Sequence, residues 1–259
     1  MTSILELGGR RLPFLRWSVL RMALGARNLT RNWQVGDGRE EALAAYVTAT
    51  ARPGDPDDAI RVIDEFCRTR SVMMNVGDEK GEILDRAVRR VQPALLLELG
   101  TYCGYSGLRM ARVMPAGARL CSVEFSPANA DIARRIWEHA GVGERLNVLV
   151  GTLGDGGATI ERLRREFGFG EGTLDFVFLD HDKNAYLSDL ELIVGERWLH
   201  PGSVVVADNV RFPGAPKYRA HLQASEGSLW STTAHDTHVE YQSLLKDLVL
   251  ESEYLGAPS

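Results

Sequence analysis

Leu95–Gly107 reads LLLELGTYCGYSG, an aliphatic run that ends on an acid and then breaks into a loop holding Gly100, Gly104 and Gly107. A parallel strand buried on both faces is a continuous run of this kind, and glycines beyond its carboxyl end let a ligand approach the backbone. The dinucleotide fingerprint G-x-G-x-x-G is incomplete here, because Tyr102 stands where its second glycine belongs, and a pyrophosphate would meet that side chain. Glu98 would repel phosphates and suits a cofactor that carries positive charge. S-Adenosylmethionine is such a cofactor; an ordinary strand-to-helix turn is the other reading of the loop taken alone.

Outward from this stretch, strand and helix signals alternate, as in a doubly wound parallel sheet. The apolar runs predict strands over 95–99, 119–124, 146–150, 175–179 and 203–207. Three- and four-residue apolar spacing predicts helices over 78–91, 106–114, 127–140, 157–167 and 184–197. Upstream, Pro53-Gly54-Asp55-Pro56 makes a turn, and Asp57 or Asp58 is expected to cap a helix with Ile60, Ile63, Phe66 and Cys67 on one face. The tail changes character: 229–235 and 246–255 read as two more strands, consistent with an antiparallel edge. The fold class is therefore α/β, a Rossmann-like, mostly parallel sheet with helices on both faces.

At 259 residues, 44% hydrophobic and 25% charged, the chain has room for one α/β domain with a full core and an extension. We divide it into a basic N-terminal extension, 1–38, and a domain, 39–259. Residues 1–36 carry six arginines against Glu6 alone, while the whole chain has a net charge of −5. The body is thus acidic, which argues against nucleic acid as a partner. Arginines interrupt the apolar residues of the extension too often for a membrane span or a signal peptide. Leu12, Leu15, Val19 and Met22 are expected to form a helical stripe, either resting peripherally on anionic lipid or packing on the body or a partner subunit. Cys67, Cys103 and Cys121 are widely spaced without C-x-x-C, which predicts free thiols and a cytoplasmic setting. Composition leaves monomer and homodimer equally open.

Four strands end in an acid, at Glu98, Glu124, Asp180 and Asp208. Ligands of open parallel sheets sit outside the carboxyl ends of the strands, so these acids converge on one crevice, and their mutual repulsion calls for cations. Glu124 lies at the distance from Gly100 where an acid on the second strand binds ribose hydroxyls. Asp180, Asp208 and Asn209 offer oxygen ligands suited to Mg²⁺. Bound to two neighbouring hydroxyls, such a metal lowers their pKa and leaves Lys183 to accept a proton. A surface lysine paired with Asp182 is the alternative for Lys183.

Met74-Asn75-Val76-Gly77-Asp78, LELGTYCGYSG, FLDHDK and VVVADNV followed by PGAP occur in the order and at spacings that resemble the catechol O-methyltransferase family, from about residue 40 onward. The resemblance implies the seven-stranded class I methyltransferase fold. It also implies transfer of a methyl group from S-adenosylmethionine to one hydroxyl of a Mg²⁺-chelated catechol, a small aromatic diol. Position by position, Asp180, Asp208 and Asn209 would hold the metal, Lys183 would be the general base, and Glu240 would bond the second hydroxyl. Glu124 would take the ribose, His181 would lie on the adenine side beside Asp180, and Val76, Glu98, Tyr102 and Ser106 would surround the methionine moiety. Met74 and Asn75 would lie near the metal and the methyl group, and Pro213 would be one gatekeeper of the substrate mouth.

Several positions depart from that pattern. Asp182 replaces a tryptophan of the adenine pocket, and Leu153 and Gly154 replace a serine and a glutamine, which implies a lost hydrogen bond to adenine. Val72 replaces a gatekeeping tryptophan, so the mouth should be wider and bulkier diols admitted. These departures keep open a non-catalytic binding protein of the same fold, and the sheet alone leaves open a nicotinamide-dependent oxidoreductase. Other candidates have simpler readings: Tyr105, Trp230 and Cys103 as packing residues, and His221, His235 and His238 as solvated or packing histidines.

Overall fold

A computed structural model describes residues 34–241 and 244–256, together with the backbone of Glu6–Leu7 and Arg10–Arg11, which pair as a short antiparallel ladder. The stripe Leu12, Leu15, Val19 and Met22 lies outside the described residues, as does most of the 1–38 extension.

In chain order the domain runs α1 (Arg39–Thr50), α2 (Pro56–Thr69), α3 (Gly77–Val91), β1 (Leu95–Leu99), α4 (Tyr105–Val113), β2 (Arg119–Glu124), α5 (Pro127–His139), β3 (Leu146–Val150) and α6 (Ala158–Phe167). It continues with β4 (Leu174–Leu179), α7 (Tyr186–Gly195), β5 (Leu199–Ala207), α8 (Pro216–Ala224), β6 (Trp230–His238) and β7 (Lys246–Tyr254). The strands form one seven-stranded sheet in the order β3-β2-β1-β4-β5-β7-β6. The first five are parallel, and β7 pairs antiparallel with both β5 and β6. The tail is thus the antiparallel edge its sequence pattern predicts. β1 lies central, with Leu97 opposite Cys121 on one side and Val177 on the other.

Alternating residues of the strands feed two cores. Leu96, Phe176, Phe178, Val204 and Val206 pack with α1–α5, while Leu97, Leu99, Val177, Leu179, Val205 and Ala207 pack with α6–α8. Each such side chain removed from water contributes roughly 1.5–3 kcal/mol, so every residue of these central strands is committed to a face. Trp137 of α5 shows how tightly the loop after β1 is fitted: its indole NH donates to Gly104 O at 2.8 Å. A Cβ at Gly104 or Gly107 would lie 2.5 or 2.6 Å from the same ring.

The start of α2 corrects the sequence reading. Asp55 is its N-cap, accepting from Asp58 N at 2.9 Å, and Asp58 instead accepts from Arg52 N at 2.8 Å. Pro56 at the first helical position fixes the entry two residues earlier than an Asp57 cap would.

Candidate active site

The parallel register carries the strand-end acids to one edge. Gly100 N donates to Val123 O at 2.9 Å, Asp180 N to Leu99 O at 2.9 Å and Asp208 N to Leu179 O at 3.0 Å. The loops after β1, β2, β4 and β5 therefore open side by side, as the crevice rule requires. Gly100, with φ of 99°, is needed for this: a Cβ there would lie 2.6 Å from Asp180 O. Tyr102, where a second fingerprint glycine would stand, itself adopts a left-handed φ of 46°.

Glu98 is fully buried and accepts from the hydroxyls of Ser106 and Ser122. Burial pushes its carboxyl up to about 7 against those two hydrogen bonds. Glu124 gathers the loop around itself, accepting from Thr101 N at 3.1 Å, Tyr102 N at 2.8 Å and Ser126 N at 2.8 Å. Burial raises its pKa, and those backbone donors oppose the rise. The Tyr102 hydroxyl donates to Glu40 at 3.0 Å, which ties the loop to α1. His181 is held through Nε2 at 2.9 Å from Asp189 and stacks on Tyr186, leaving Nδ1 buried without a partner among the described residues.

Across the crevice, Lys183 donates to Asp180 Oδ1 at 2.8 Å and to the Tyr186 hydroxyl at 2.7 Å. It does not pair with Asp182, whose carboxylate accepts from Asn184 N and Nδ2, both at 3.0 Å. Asp208 is wholly buried; its Oδ1 accepts from Asn209 N at 2.6 Å, while Oδ2 has no complete hydrogen bond. Asn209 Nδ2 donates to Asp247 Oδ2 at 2.9 Å and Glu240 Oε1 at 3.3 Å, which leaves its amide oxygen as the remaining acceptor. Asn209 has φ of 56°, a conformation that asparagine tolerates. Glu240 sits against Gly77, where an added Cβ would lie 3.3 Å from the Glu240 Cβ.

Asn75 and Val76 are buried just before α3, with Asn75 Nδ2 donating to Cys67 Sγ at 3.3 Å. Met74 is half-buried and Pro213 exposed. Val72 is half-buried, and its carbonyl accepts from Arg39 at 2.6 Å. Leu153 is buried and Gly154 exposed. Tyr105 is a core residue whose hydroxyl donates to Asp64 at 2.8 Å; Trp230 and Cys103 are buried as well. His235 pairs with Glu251 at 2.9 Å and His238 with Glu79 at 3.2 Å, on the outer strand.

Three site residues escape the sequence reading: Tyr186, Lys80 and Asp247. Tyr186 sits one turn beyond Lys183 at the start of α7 and is completely buried, with its hydroxyl within hydrogen-bond distance of the carbonyls of Leu179 and Asp208. Lys80 stands two positions after the Met74–Asp78 motif and Asp247 near the end of the chain, and the two meet in space at 3.2 Å.

The fold and the edge of strand-end acids define a class I methyltransferase. The O-methyltransferase family model matches residues 60–229, and the chain belongs to that S-adenosylmethionine-dependent family, which sets it apart from the nicotinamide oxidoreductases that share the sheet. A Mycobacterium tuberculosis protein named "Probable O-methyltransferase" is 60% identical, with 91% of this chain and all of the relative covered. Mouse catechol O-methyltransferase is 38% identical over 84% of this chain and 79% of its own length. Among solved structures, an O-methyltransferase from Bacillus cereus in complex with S-adenosylhomocysteine aligns with a TM-score of 0.62 and 25% identity, covering 82% of this chain and 97% of that one.

Proposed function

We propose that this O-methyltransferase acts on a catechol or a related aromatic vicinal diol, with S-adenosylmethionine as methyl donor and Mg²⁺ as the chelating metal. The observation that carries the reading is the convergence of Asp180, Asp208, Asn209, Lys183 and Glu240 on one crevice beside the glycine loop. The similarity to catechol O-methyltransferases supports the diol as acceptor.

The donors suit a hard cation: two carboxylates and an amide oxygen, with Asp208 Oδ2 buried and already facing a positive charge, the Lys80 ammonium at 2.8 Å. Asp180, Asp208 and Asn209 would hold the metal, which when bound would acidify and orient the two hydroxyls of the diol. The crevice also suits a sulfonium donor, because Glu98 is an acid without a cationic partner among its hydrogen bonds and would pair with the amino group of the methionine moiety. Val76, Tyr102 and Ser106 would line that moiety, Glu124 the ribose, and His181, through its unpartnered Nδ1, the adenine side.

In the reaction, Lys183 Nζ, as the neutral amine, would take the proton from one hydroxyl, and that oxygen would bond to the methyl carbon in line as its bond to the sulfonium sulfur breaks, with S-adenosylhomocysteine as the leaving group. Asp180 and Tyr186 hold that nitrogen in place, so the proton is received at a fixed point. Glu240 accepts from the second hydroxyl and fixes which oxygen faces the donor, with Met74 and Asn75 beside the methyl group and Pro213 at the mouth. Positioning of this kind supplies much of the rate enhancement.

The test is methyl transfer from labelled S-adenosylmethionine to a simple catechol, with and without Mg²⁺, by the parent chain and by Lys183→Ala. Magnesium-dependent product that vanishes in the variant is the expected result. Cofactor binding without methylation of any diol would overturn the acceptor, and metal-independent turnover would overturn the role of Mg²⁺. No S-adenosylmethionine binding at all would favour the non-catalytic alternative that Asp182, Leu153 and Gly154 raise.

A further inference from the structure

Lys80 lies on α3 with 2% of its surface exposed, and its ammonium faces the metal side of the crevice. Nζ is 2.8 Å from Asp208 Oδ2 and 3.2 Å from Asp247 Oδ2, and it contacts Glu240 Oε1 directly. Asp247 has no exposed surface, and its other oxygen accepts from Phe212 N at 3.0 Å and Leu248 N at 2.8 Å. The carboxylates meeting here are Asp180, Asp208, Asp247 and Glu240, and the cations among them are Lys80 and Lys183. Lys183 must be a neutral amine when it takes a proton, so Lys80 is the cation that faces these carboxylates at that step.

The placement on Asp208 is specific. Oδ1 is taken by the Asn209 amide, so Oδ2 is the oxygen left for a cation, and Oδ2 is the atom that Lys80 approaches. We propose that Lys80 is a positioning residue that acts as a fixed internal counter-cation: it holds Asp208 and Glu240 in place before metal binds, and it competes with the divalent cation for Asp208. This rests on the reading of the site given under Proposed function. Linkage is reciprocal, so whatever Lys80 contributes to the metal-free site it subtracts from metal affinity.

The experiment is calorimetric titration of MgCl₂ into the full chain, the parent and Lys80→Met, with thermal melts in EDTA and in saturating Mg²⁺. The expected result is Mg²⁺ affinity raised roughly tenfold or more in Lys80→Met, with a melting temperature that falls in EDTA and recovers with Mg²⁺. Were ordering of the ligands to outweigh competition for Asp208 Oδ2, removal would lower metal affinity instead. A folded Lys80→Met with unchanged or weaker Mg²⁺ binding overturns the proposal. Should Lys80→Met not fold, Lys80→Gln, which keeps a donor and removes the charge, is read by the same criteria. A parent chain that takes up no Mg²⁺ overturns the metal reading itself, and that outcome is distinguished by appearing before any substitution.

Discussion

The ammonium of Lys183 lies 2.7 Å from the phenol oxygen of Tyr186, and that phenol is fixed between the carbonyls of Leu179 at 2.8 Å and Asp208 at 3.0 Å. The lysine is therefore referenced to the ends of β4 and β5, the same strands that carry Asp180 and Asp208. Two variants should separate its chemistry from its placement. Lys183→Met removes the proton acceptor and is expected to lower kcat by about 10²–10⁴-fold with cofactor affinity unchanged. Tyr186→Phe keeps the ring and removes the anchor; it should lower kcat by a smaller factor, roughly tenfold. Its melting temperature should also drop, since carbonyls buried beside the ring lose a donor worth about 1 kcal/mol. Steady-state kinetics and calorimetric cofactor binding check both.

Glu98 gives the chain a pH dependence of defined sign. Its carboxyl sits near 7 in the folded protein through burial, against an ordinary value of 4.5. Between those values the folded chain keeps a proton that the unfolded chain has released, so stability falls as pH rises. The full effect is at most about 3 kcal/mol. Urea midpoints measured from about pH 5 to about pH 7 should decline in the parent and decline less in Glu98→Gln. Saturating S-adenosylmethionine should also flatten the parent profile by pairing the ionised acid.

Much of the sheet was legible because parallel strands buried on both faces have no polar positions to blur the pattern. Leu95 to Leu97 feed alternate cores, yet all read as one apolar run. Asp180, Lys183, Asp208 and Asn209 were legible for a related reason: they follow directly on such runs, and the fold brings those strand ends together. Lys80 was not. It is the fourth residue of α3, in a stretch GDEKGE whose charges read as a solvated face. Its partners Glu240 and Asp247 lie more than 150 positions further on, and no local period reports a contact of that range. Tyr186 was hidden differently, since a tyrosine opening an amphipathic helix reads as core and its hydroxyl matters only where two strand ends meet.

Gly100 is a point at which the loop after β1 has no room for a side chain. An alanine there must hold φ near 99° and place Cβ 2.6 Å from Asp180 O, a main-chain atom that cannot swing aside. Gly100→Ala should therefore push the loop after β4 outward, abolishing S-adenosylhomocysteine binding and lowering the melting temperature. Gly154→Ala is the control, as an added Cβ there meets nothing within 4 Å. Calorimetry and thermal melts on the two variants distinguish a specific close approach from a general loss of flexibility.

Val72 offers a test of the acceptor that leaves the catalytic groups untouched. Its carbonyl accepts from Arg39 at 2.6 Å, and replacing the side chain leaves that bond in place. Val72→Trp restores the aromatic gate of the catechol O-methyltransferase pattern opposite Pro213. The added ring face should be worth about 1 kcal/mol to a flat substrate, close to fivefold. KM for a simple catechol is therefore expected to fall about fivefold with kcat nearly unchanged, because the contact forms equally in the ground and transition states. For a diol with a bulky ring substituent the same variant should raise KM, since the gate then occupies space the substituent needs. Parallel kinetics on the two substrates decide the matter: opposite shifts place Val72 at the acceptor mouth, and equal shifts in both would put the diol elsewhere.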